Sequence, residues 1–377
     1  MRVKLSELGT VITGNTPSKQ EQKYWTSSDI PFIKPDIISQ NEITELQSAN
    51  EYVSDAARSK ARIVGKGVVL VTCIGTIGKI CLTGRECAFN QQINAIVPNE
   101  KVLPEYLAYC IYYNRYKLAE IANAPVVPII NKSQFEEFYV SIEKDVELQR
   151  KILLILRRAS ALVSYRQHQL QKLDELVKAR FVEMFGEPKS NKSNLVKIEE
   201  IGSLTSGGTP SRIKPEYFKG DIRWYSAGEL NSLYLPDSVE HISKTALKES
   251  AAKLFNKGTL MIGMYDTAAF KLGILTEDSS SNQACANLNP QNDYNVVWLY
   301  YLFDIMKPVF LQERQGVRQK NLSLSKIKEF EVPSAPIGIQ NQFAAFVERV
   351  NKSKAAVQKA LDEAQLLFDS LMQKYFE

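Results

Sequence analysis

His168, His241 and five cysteines (Cys73, Cys81, Cys87, Cys110, Cys285) are the side chains best suited to nucleophilic or metal chemistry in this chain of 377 residues. Their spacing does not serve it. There is no Cys-x-x-Cys pair, and two isolated histidines make neither a histidine-based triad nor a multi-histidine zinc site. The cysteines read as small buried apolar residues. Gly75-Thr76-Ile77-Gly78-Lys79 comes nearest to a phosphate cradle. A P-loop, however, needs glycine where Cys73 stands and a hydroxyl where Ile80 stands. Asn289-Pro290-Gln291-Asn292 does not end in the aromatic residue that methylation of a base amino group would use. Pro35-Asp36 has a nuclease-like look, but no well-placed Glu-x-Lys follows it in the same half, so a surface turn is the better reading. The chain reads as non-catalytic, and binding is what remains.

The residues suited to binding occur twice, in the same order. Thr13-Gly14-Asn15-Thr16-Pro17-Ser18-Lys19 returns as Ser206-Gly207-Gly208-Thr209-Pro210-Ser211-Arg212, 193 positions on. Tyr24-Trp25 returns as Tyr217-Phe218, and Asp29-Ile30-Pro31-Phe32 as Asp221-Ile222-Arg223-Trp224. Asn90-Gln91 matches Asn282-Gln283, and Tyr106-Leu107 matches Trp298-Leu299. Gln149 matches Gln340, and the run Phe181 to Phe185 matches Met372 to Phe376. One ordered set of landmarks at nearly constant offset is a duplication.

Two elements must carry these loops. From Glu147 to Phe185 there is no proline or glycine, and apolar residues recur at Ile152, Ile155, Leu156, Ala159, Leu162, Val163, Leu170, Leu173, Leu176, Val177, Phe181 and Met184. That is the spacing of one buried helical stripe, stopped by Gly186 and Pro188. At 1.5 Å per residue such a helix is roughly 60 Å long. Gln340 to Phe376 repeats the pattern with Phe343, Phe346, Val347, Val350, Val357, Leu361, Ala364, Leu367, Leu371 and Tyr375. The two are expected to pack along their length as a coiled coil.

Within the first half, Ile30–Lys34, Val68–Ile74, Lys79–Leu82 and Ile93–Val97 read as strands, with Gly75–Gly78 as a hairpin loop. Pro104 to Ile121 reads as one helix opened by proline, and Asn131 or Ser133 could cap a short helix through Phe138, with Glu136 three residues after Ser133. The second half echoes it, with strands at Ile222–Tyr225, Thr259–Tyr265 and Lys271–Thr276. A helix from Val296 to about Glu313 must kink or end early at Pro308.

Composition excludes several classes. With 44% hydrophobic and 24% charged residues the chain is globular rather than disordered. No apolar run reaches the ~18 residues of a membrane span. The start MRVKLSELG lacks the apolar core of a secretory signal, and the cysteines form no disulfide framework, so a reducing cytoplasm is expected. The net charge of +5 is mildly basic and compatible with a polyanion. Most of that surplus lies in the central helix, where eight lysines and arginines meet four acids; a solvated helix face is the alternative reading.

The G-x-TPS opening, the YW/YF and D-I-x-[FW] steps, the G-T-I-G-K hairpin, the F-N-Q strand, the N-K-S turn before F-x-V, and the E-x-Q helix start together resemble the specificity subunit of type I restriction-modification enzymes. The resemblance covers nearly the whole chain. It implies target recognition domains at 1–145 and 195–335, a central spacer helix at 146–186, a linker at 187–194 and a C-terminal spacer helix at 336–377. The implied fold is α+β, two homologous α/β domains joined by two long antiparallel helices with approximate two-fold symmetry. The partners it implies are double-stranded DNA, two modification (methyltransferase) subunits and restriction/translocase subunits. S-adenosylmethionine and ATP would sit on those partners, with no cofactor or metal in this chain. The pattern departs in the second half, where Asp266-Thr267-Ala268-Ala269 replaces Gly75-Thr76-Ile77-Gly78 and Ser281 replaces Phe89.

Base readout needs donors and acceptors in loops, and phosphates need cations and amides. The candidates are Thr16, Ser18, Lys19, Lys34, Thr76, Lys79, Asn90 and Gln91 in the first half. In the second they are Thr209, Ser211, Arg212, Tyr265, Asp266, Thr267, Asn282, Gln283, Arg314, Arg318, Gln319 and Lys320. Each has a structural alternative. The TPS loops could only shape turns, Asn90-Gln91 could only tie strands, and 312–320 could be a solvated loop. The cluster Tyr112, Tyr113, Arg115, Tyr116, Lys117 could stack on bases or form one packed face. Two rival functions stand beside this one. One is a self-contained methyltransferase or nuclease, which would act without a partner. The other is a duplicated protein scaffold, which would show no sequence preference.

Overall fold

The computed structural model describes residues 1–122, 127–190, 194–313 and 321–377, and of Asp266 the backbone alone. The chain divides into two compact units: residues 1–168 with 358–377, and residues 169–357. The candidates Arg314, Arg318, Gln319 and Lys320 lie outside the described residues.

In the first unit a five-stranded sheet runs in the order Gly9–Thr13, Ile93–Pro98, Val69–Thr72, Ile80–Thr83, Thr44–Leu46. A four-stranded sheet runs Glu51–Val53, Ile30–Ile33, Cys87–Phe89, Ile63–Val64. Strand alternation divides the core. Val69 and Val71 face a helical layer, while Leu70 faces Ile33, Phe89 and Ala95 between the sheets. The helical layer contains Tyr106 to Ile111, then Ile152, Leu153 and Leu156 of the central helix, and Phe368, Met372 and Phe376 of the C-terminal helix.

The second unit repeats this topology with one strand fewer in each sheet. Gly202–Ser206, Cys285–Pro290, Leu260–Gly263 and Leu272–Ile274 form its main sheet, and Glu240–Ile242, Ile222–Tyr225 and Ser280–Ser281 its smaller one. Val177 and Phe181 of the central helix share its core with Phe343, Val347 and Val350 of the C-terminal helix. There the two helices run antiparallel, since Asp174 pairs with Lys354 and Phe181 packs edge-on against Phe343 with ring centroids 5.2 Å apart.

The long helices span Val146–Phe185 and Ile337–Phe376. Gly186 takes φ +75° and donates its N–H to the Val182 carbonyl at 2.8 Å, the expected left-handed stop. The buried stripe differs from its expected membership. Ile155, Leu162, Leu176 and Leu367 are exposed, whereas Leu153, Phe368, Met372 and Phe376 are buried. Each helix meets both a globular domain and another helix, so the arc it buries is set by two surfaces rather than by one narrow seam.

Each long helix is joined to its own domain through a buried glutamine. Gln149, wholly buried, accepts the Leu103 N–H at 2.9 Å and donates to the carbonyls of Lys101 at 3.0 Å and Glu143 at 2.8 Å. Gln340, equally buried, accepts the Asn295 N–H at 2.8 Å and donates to the carbonyls of Asp293 at 3.2 Å and Ala335 at 2.6 Å.

Local corrections follow from side-chain competition for backbone groups. The expected helix 104–121 is two, Pro104–Tyr113 and Arg115–Glu120, broken at Asn114, whose Nδ2 donates to the Cys110 carbonyl at 2.9 Å. The short helix is Lys132–Glu136, and its capping box pairs Asn131 with Gln134 rather than Ser133 with Glu136. The helix from Val296 ends at Phe310, two residues after Pro308, and a 3-10 turn covers Leu311–Glu313. The second hairpin is one residue longer than the first. Gly78 N–H bonds the Thr72 carbonyl and Phe270 N–H the Gly263 carbonyl, so Phe270, not Ala269, stands where Gly78 does. Both hold positive φ, +83° and +53°. Phe270 sustains it by packing against Phe310, with centroids 4.6 Å apart.

Candidate nucleic-acid interface

The candidate loops start where strands of the two sheets end. Gly14 N–H bonds the Ile93 carbonyl and Asn15 N–H the Phe89 carbonyl, while Asn90 N–H bonds the Ile33 carbonyl. In the second unit Gly207 bonds Cys285, Gly208 bonds Ser281 and Asn282 bonds Tyr225 in the same way. These approaches require glycine. A Cβ on Gly14 would lie 2.2 Å from the Asn90 carbonyl oxygen, and one on Gly207 2.3 Å from that of Ser281. Each unit thereby gathers its loops at one end of its two sheets.

At that end of the first unit, exposed Thr16 donates to Gln91 Oε1 at 2.7 Å. Exposed Lys19 bonds Glu51 at 2.8 Å and lies 3.8 Å over the Trp25 ring. Lys34 pairs with the other oxygen of Glu51. Trp25 Nε1 donates to the Ser18 carbonyl at 3.1 Å and packs edge-on to Phe32. Lys79 Nζ donates to the Pro35 carbonyl at 3.0 Å, which brings the 75–79 hairpin alongside Lys34. Thr76 is exposed at its tip. Asn90 faces inward, 5% exposed, and donates to Gln92 Oε1 at 2.8 Å.

The second unit rebuilds the arrangement from different residues. Thr209 donates to Gln283. Arg212 grips Glu240 through two bonds of 2.6 and 2.7 Å and lies 4.5 Å over the Phe218 ring. Trp224 Nε1 donates to the Gly208 carbonyl at 3.0 Å and meets Phe218 edge-on. The aromatic pair is exchanged, Trp25–Phe32 in one unit and Phe218–Trp224 in the other, yet a tryptophan N–H closes the TPS loop in both. Ser211, Tyr265, Thr267 and Gln283 are exposed. Asn282 caps its own turn, accepting the Ala284 N–H at 3.0 Å. Asp266 contributes backbone to the 3-10 turn of residues 266–268.

Sequence reasoning missed Glu51 and Glu240. The register identifies them: Glu51 pairs with Phe32 and Glu240 with Trp224 across equivalent antiparallel strands. The available signal was a glutamate upstream of a β-branched or aromatic strand in each half, and it is weak without the pairing. The hydrogen bonds of Lys19 and then Lys34 hold the Glu51 carboxyl below its usual range, and Arg212 does the same for Glu240. The Tyr112 cluster is turned on itself, with Arg115 3.9 Å from the Tyr112 ring and 4.5 Å from the Tyr116 ring. Among the described residues no group of three or more histidines, cysteines or acids is placed to hold a metal, and no helix is long and apolar enough to cross a membrane.

The sequence matches a family model, the type I restriction modification DNA specificity domain, over residues 1–175 and again over 191–364. It is 21% identical to the MjaIX type I restriction enzyme specificity subunit of Methanocaldococcus jannaschii, over 98% of this chain and 91% of that one. It is 38% identical to the HindI specificity subunit of Haemophilus influenzae over a shorter stretch, 27% of this chain and 22% of that one. The fold is similar to the crystal structure of the type I restriction-modification S subunit from M. genitalium, with TM-score 0.57 at 13% identity over 100% of this chain and 96% of that one. It is also similar to a chain solved for complex assembly and conformational transition of the type I R-M system, with TM-score 0.58 at 15% identity, covering 100% and 97%.

Proposed function

The chain belongs to the type I restriction modification DNA specificity domain family and is a DNA-recognition subunit; from that premise we propose that each unit reads one half of an asymmetric bipartite sequence with the loops gathered at its sheet end. One observation carries this reading. The two sheet ends share a backbone arrangement and a Thr–Gln tie, yet they display different side chains, Lys19 and the 75–79 hairpin in one, Arg212, Tyr265 and Thr267 in the other. A common frame with unlike exposed groups is what reading two unlike half-sites requires.

In this reading the subunit is non-catalytic and works in the cytoplasm. Its long helices carry two modification subunits, which hold S-adenosylmethionine, and restriction/translocase subunits use ATP. Exposed apolar side chains on the helices, Leu154 and Ile155 in the first unit and Leu176 in the second, support a protein partner there.

Methylation-sensitive sequencing of DNA from cells carrying this chain with its neighbouring modification subunit tests the reading. Two unlike half-sites at a constant gap are expected. Exchanging residues 195–335 for another family member's second domain should change one half-site only. Scattered methylation, or methyl transfer by the purified chain alone, would overturn it.

A further inference from the structure

Asn15, next to Thr16 in the first TPS loop, binds a segment that carries none of the candidate side chains. Its Nδ2 donates to the Lys60 carbonyl at 2.6 Å, and its Oδ1 accepts the Arg62 N–H at 2.7 Å. The strand Ile63–Val64 then pairs with Cys87–Phe89, and Asn15 N–H bonds the Phe89 carbonyl. Residues 60–62 therefore lie at the loop end of the smaller sheet, beside the TPS loop. The second unit builds the same junction without the amide. Gly208 stands where Asn15 does, and a Cβ there would lie 1.9 Å from the Ala251 carbonyl oxygen. Ala251 thus takes the place of Lys60, and Lys253 that of Arg62, with its Nζ donating to the Ser206 carbonyl at 3.0 Å.

The cations at the first loop end differ in what they already bind. Lys19 and Lys34 share Glu51, Arg58 is held by Asp55 and Glu86, and half-buried Lys79 donates to the Pro35 carbonyl. Moving any of the first three onto a phosphate breaks an ion pair. Lys60 and Arg62 are exposed, and among the described residues neither side chain has an ion-pair or hydrogen-bond partner. A free cation meets a phosphate with no internal bond to break, and the counterions it releases favour the contact. Lys253 is exposed too, and its acceptor is neutral, so its charge is uncompensated.

Resting on the DNA-recognition reading, we propose that Lys60 and Arg62 are phosphate-binding residues of the first unit, set beside the TPS loop by Asn15, and that Lys253 is their counterpart in the second. The ion-paired Lys19 and Lys34 shape the loop end, while Lys60 and Arg62 fix it on the duplex backbone. Phosphate contacts set the register from which neighbouring side chains reach base edges and carry no sequence information themselves. With alanine at 251, the second unit has one such cation where the first has two.

The test uses the full chain purified with its modification subunit, titrated at several salt concentrations with a duplex of random sequence and one carrying the mapped site. Lys60→Gln, Arg62→Gln and Lys253→Gln should each weaken binding to both duplexes about eightfold at about 0.1 M salt, with a salt slope shallower by about one, the effect of one lost phosphate contact. The double variant Lys60→Gln/Arg62→Gln should lower the slope by about two. Arg62→Lys, which installs the residue type found at 253, should keep the wild-type slope, a rescue that a merely structural role would not give. Lys19→Gln should leave the slope where it is, because that charge is already spent on Glu51. Unchanged slopes in the three single glutamine variants would overturn the proposal. So would a loss confined to the mapped site, which marks a base contact, or an Arg62→Lys variant as weak as Arg62→Gln. A slope lowered by Lys19→Gln and not by Lys60→Gln would give the phosphate to the paired cation and overturn it as well. A wild-type complex that binds both duplexes equally would sink the recognition reading and leave the slope comparison standing. No binding to any duplex would sink both.

Discussion

Thr16 donates its hydroxyl to Gln91 Oε1 at 2.7 Å, and Thr209 does the same to Gln283 in the second unit. Each tie joins the TPS loop to the turn that follows a strand of the smaller sheet, Cys87–Phe89 in the first unit and Ser280–Ser281 in the second. Two loops far apart in sequence therefore present their side chains from one frame. Replacing Thr16 with valine keeps the shape and removes the donor. We expect about fivefold weaker binding to the mapped site, equivalent to about 1 kcal/mol, with an unchanged melting temperature. Equilibrium binding against a duplex altered in one half-site checks it, and the loss should be confined to the half-site that the first unit reads.

Gln149 and Gln340, themselves buried, each satisfy one backbone N–H and two carbonyls at the start of a long helix. Leucine at either position would leave those groups unpaired and should cost about 3 kcal/mol. Urea unfolding with the single-variant chains measures it. If the units unfold in separate transitions, Gln149→Leu should move only the one that belongs to the first unit.

The pH dependence of the Lys19–Glu51–Lys34 cluster has a definite sign. Lys19 first, and then Lys34, lower the Glu51 carboxyl below its ordinary value of 4.5. A lowered carboxyl contributes to stability above its unfolded pKa, and the contribution is lost as pH falls through the folded one. Trp25 lies under Lys19, so its fluorescence should stay flat from about pH 8 to about pH 5 and change only below the ordinary carboxylate range. Glu51→Gln should remove that acid transition; its persistence would assign the signal elsewhere.

All five cysteines are free and buried. Burial pushes the Cys73, Cys87 and Cys285 thiols up to about 12, and those of Cys81 and Cys110 higher still. The thiolate is the reactive form, so the native chain should take up almost no thiol reagent at about pH 8. In denaturant all five should react. Rapid labelling of the native protein would show that one of these sites opens.

The sequence by itself determined the duplication, because ordered landmarks return at a nearly constant offset, and the two long helices with the stop of the first at Gly186, because these rest on spacing that a single chain segment displays. It also located the loops at Thr16, Lys19, Thr209 and Arg212, since glycine, proline and hydroxyl residues define turns wherever they stand. Tertiary structure decided which helix residues are buried, where Leu153 and Phe368 replace Ile155 and Leu367, because burial depends on every surface a helix meets. It decided the partners too. Glu51 reaches Lys19, and Glu240 reaches Arg212, only because strand pairing sets Phe32 opposite Glu51 and Trp224 opposite Glu240. Such register is fixed by contacts between residues distant in the chain, and no local pattern records it.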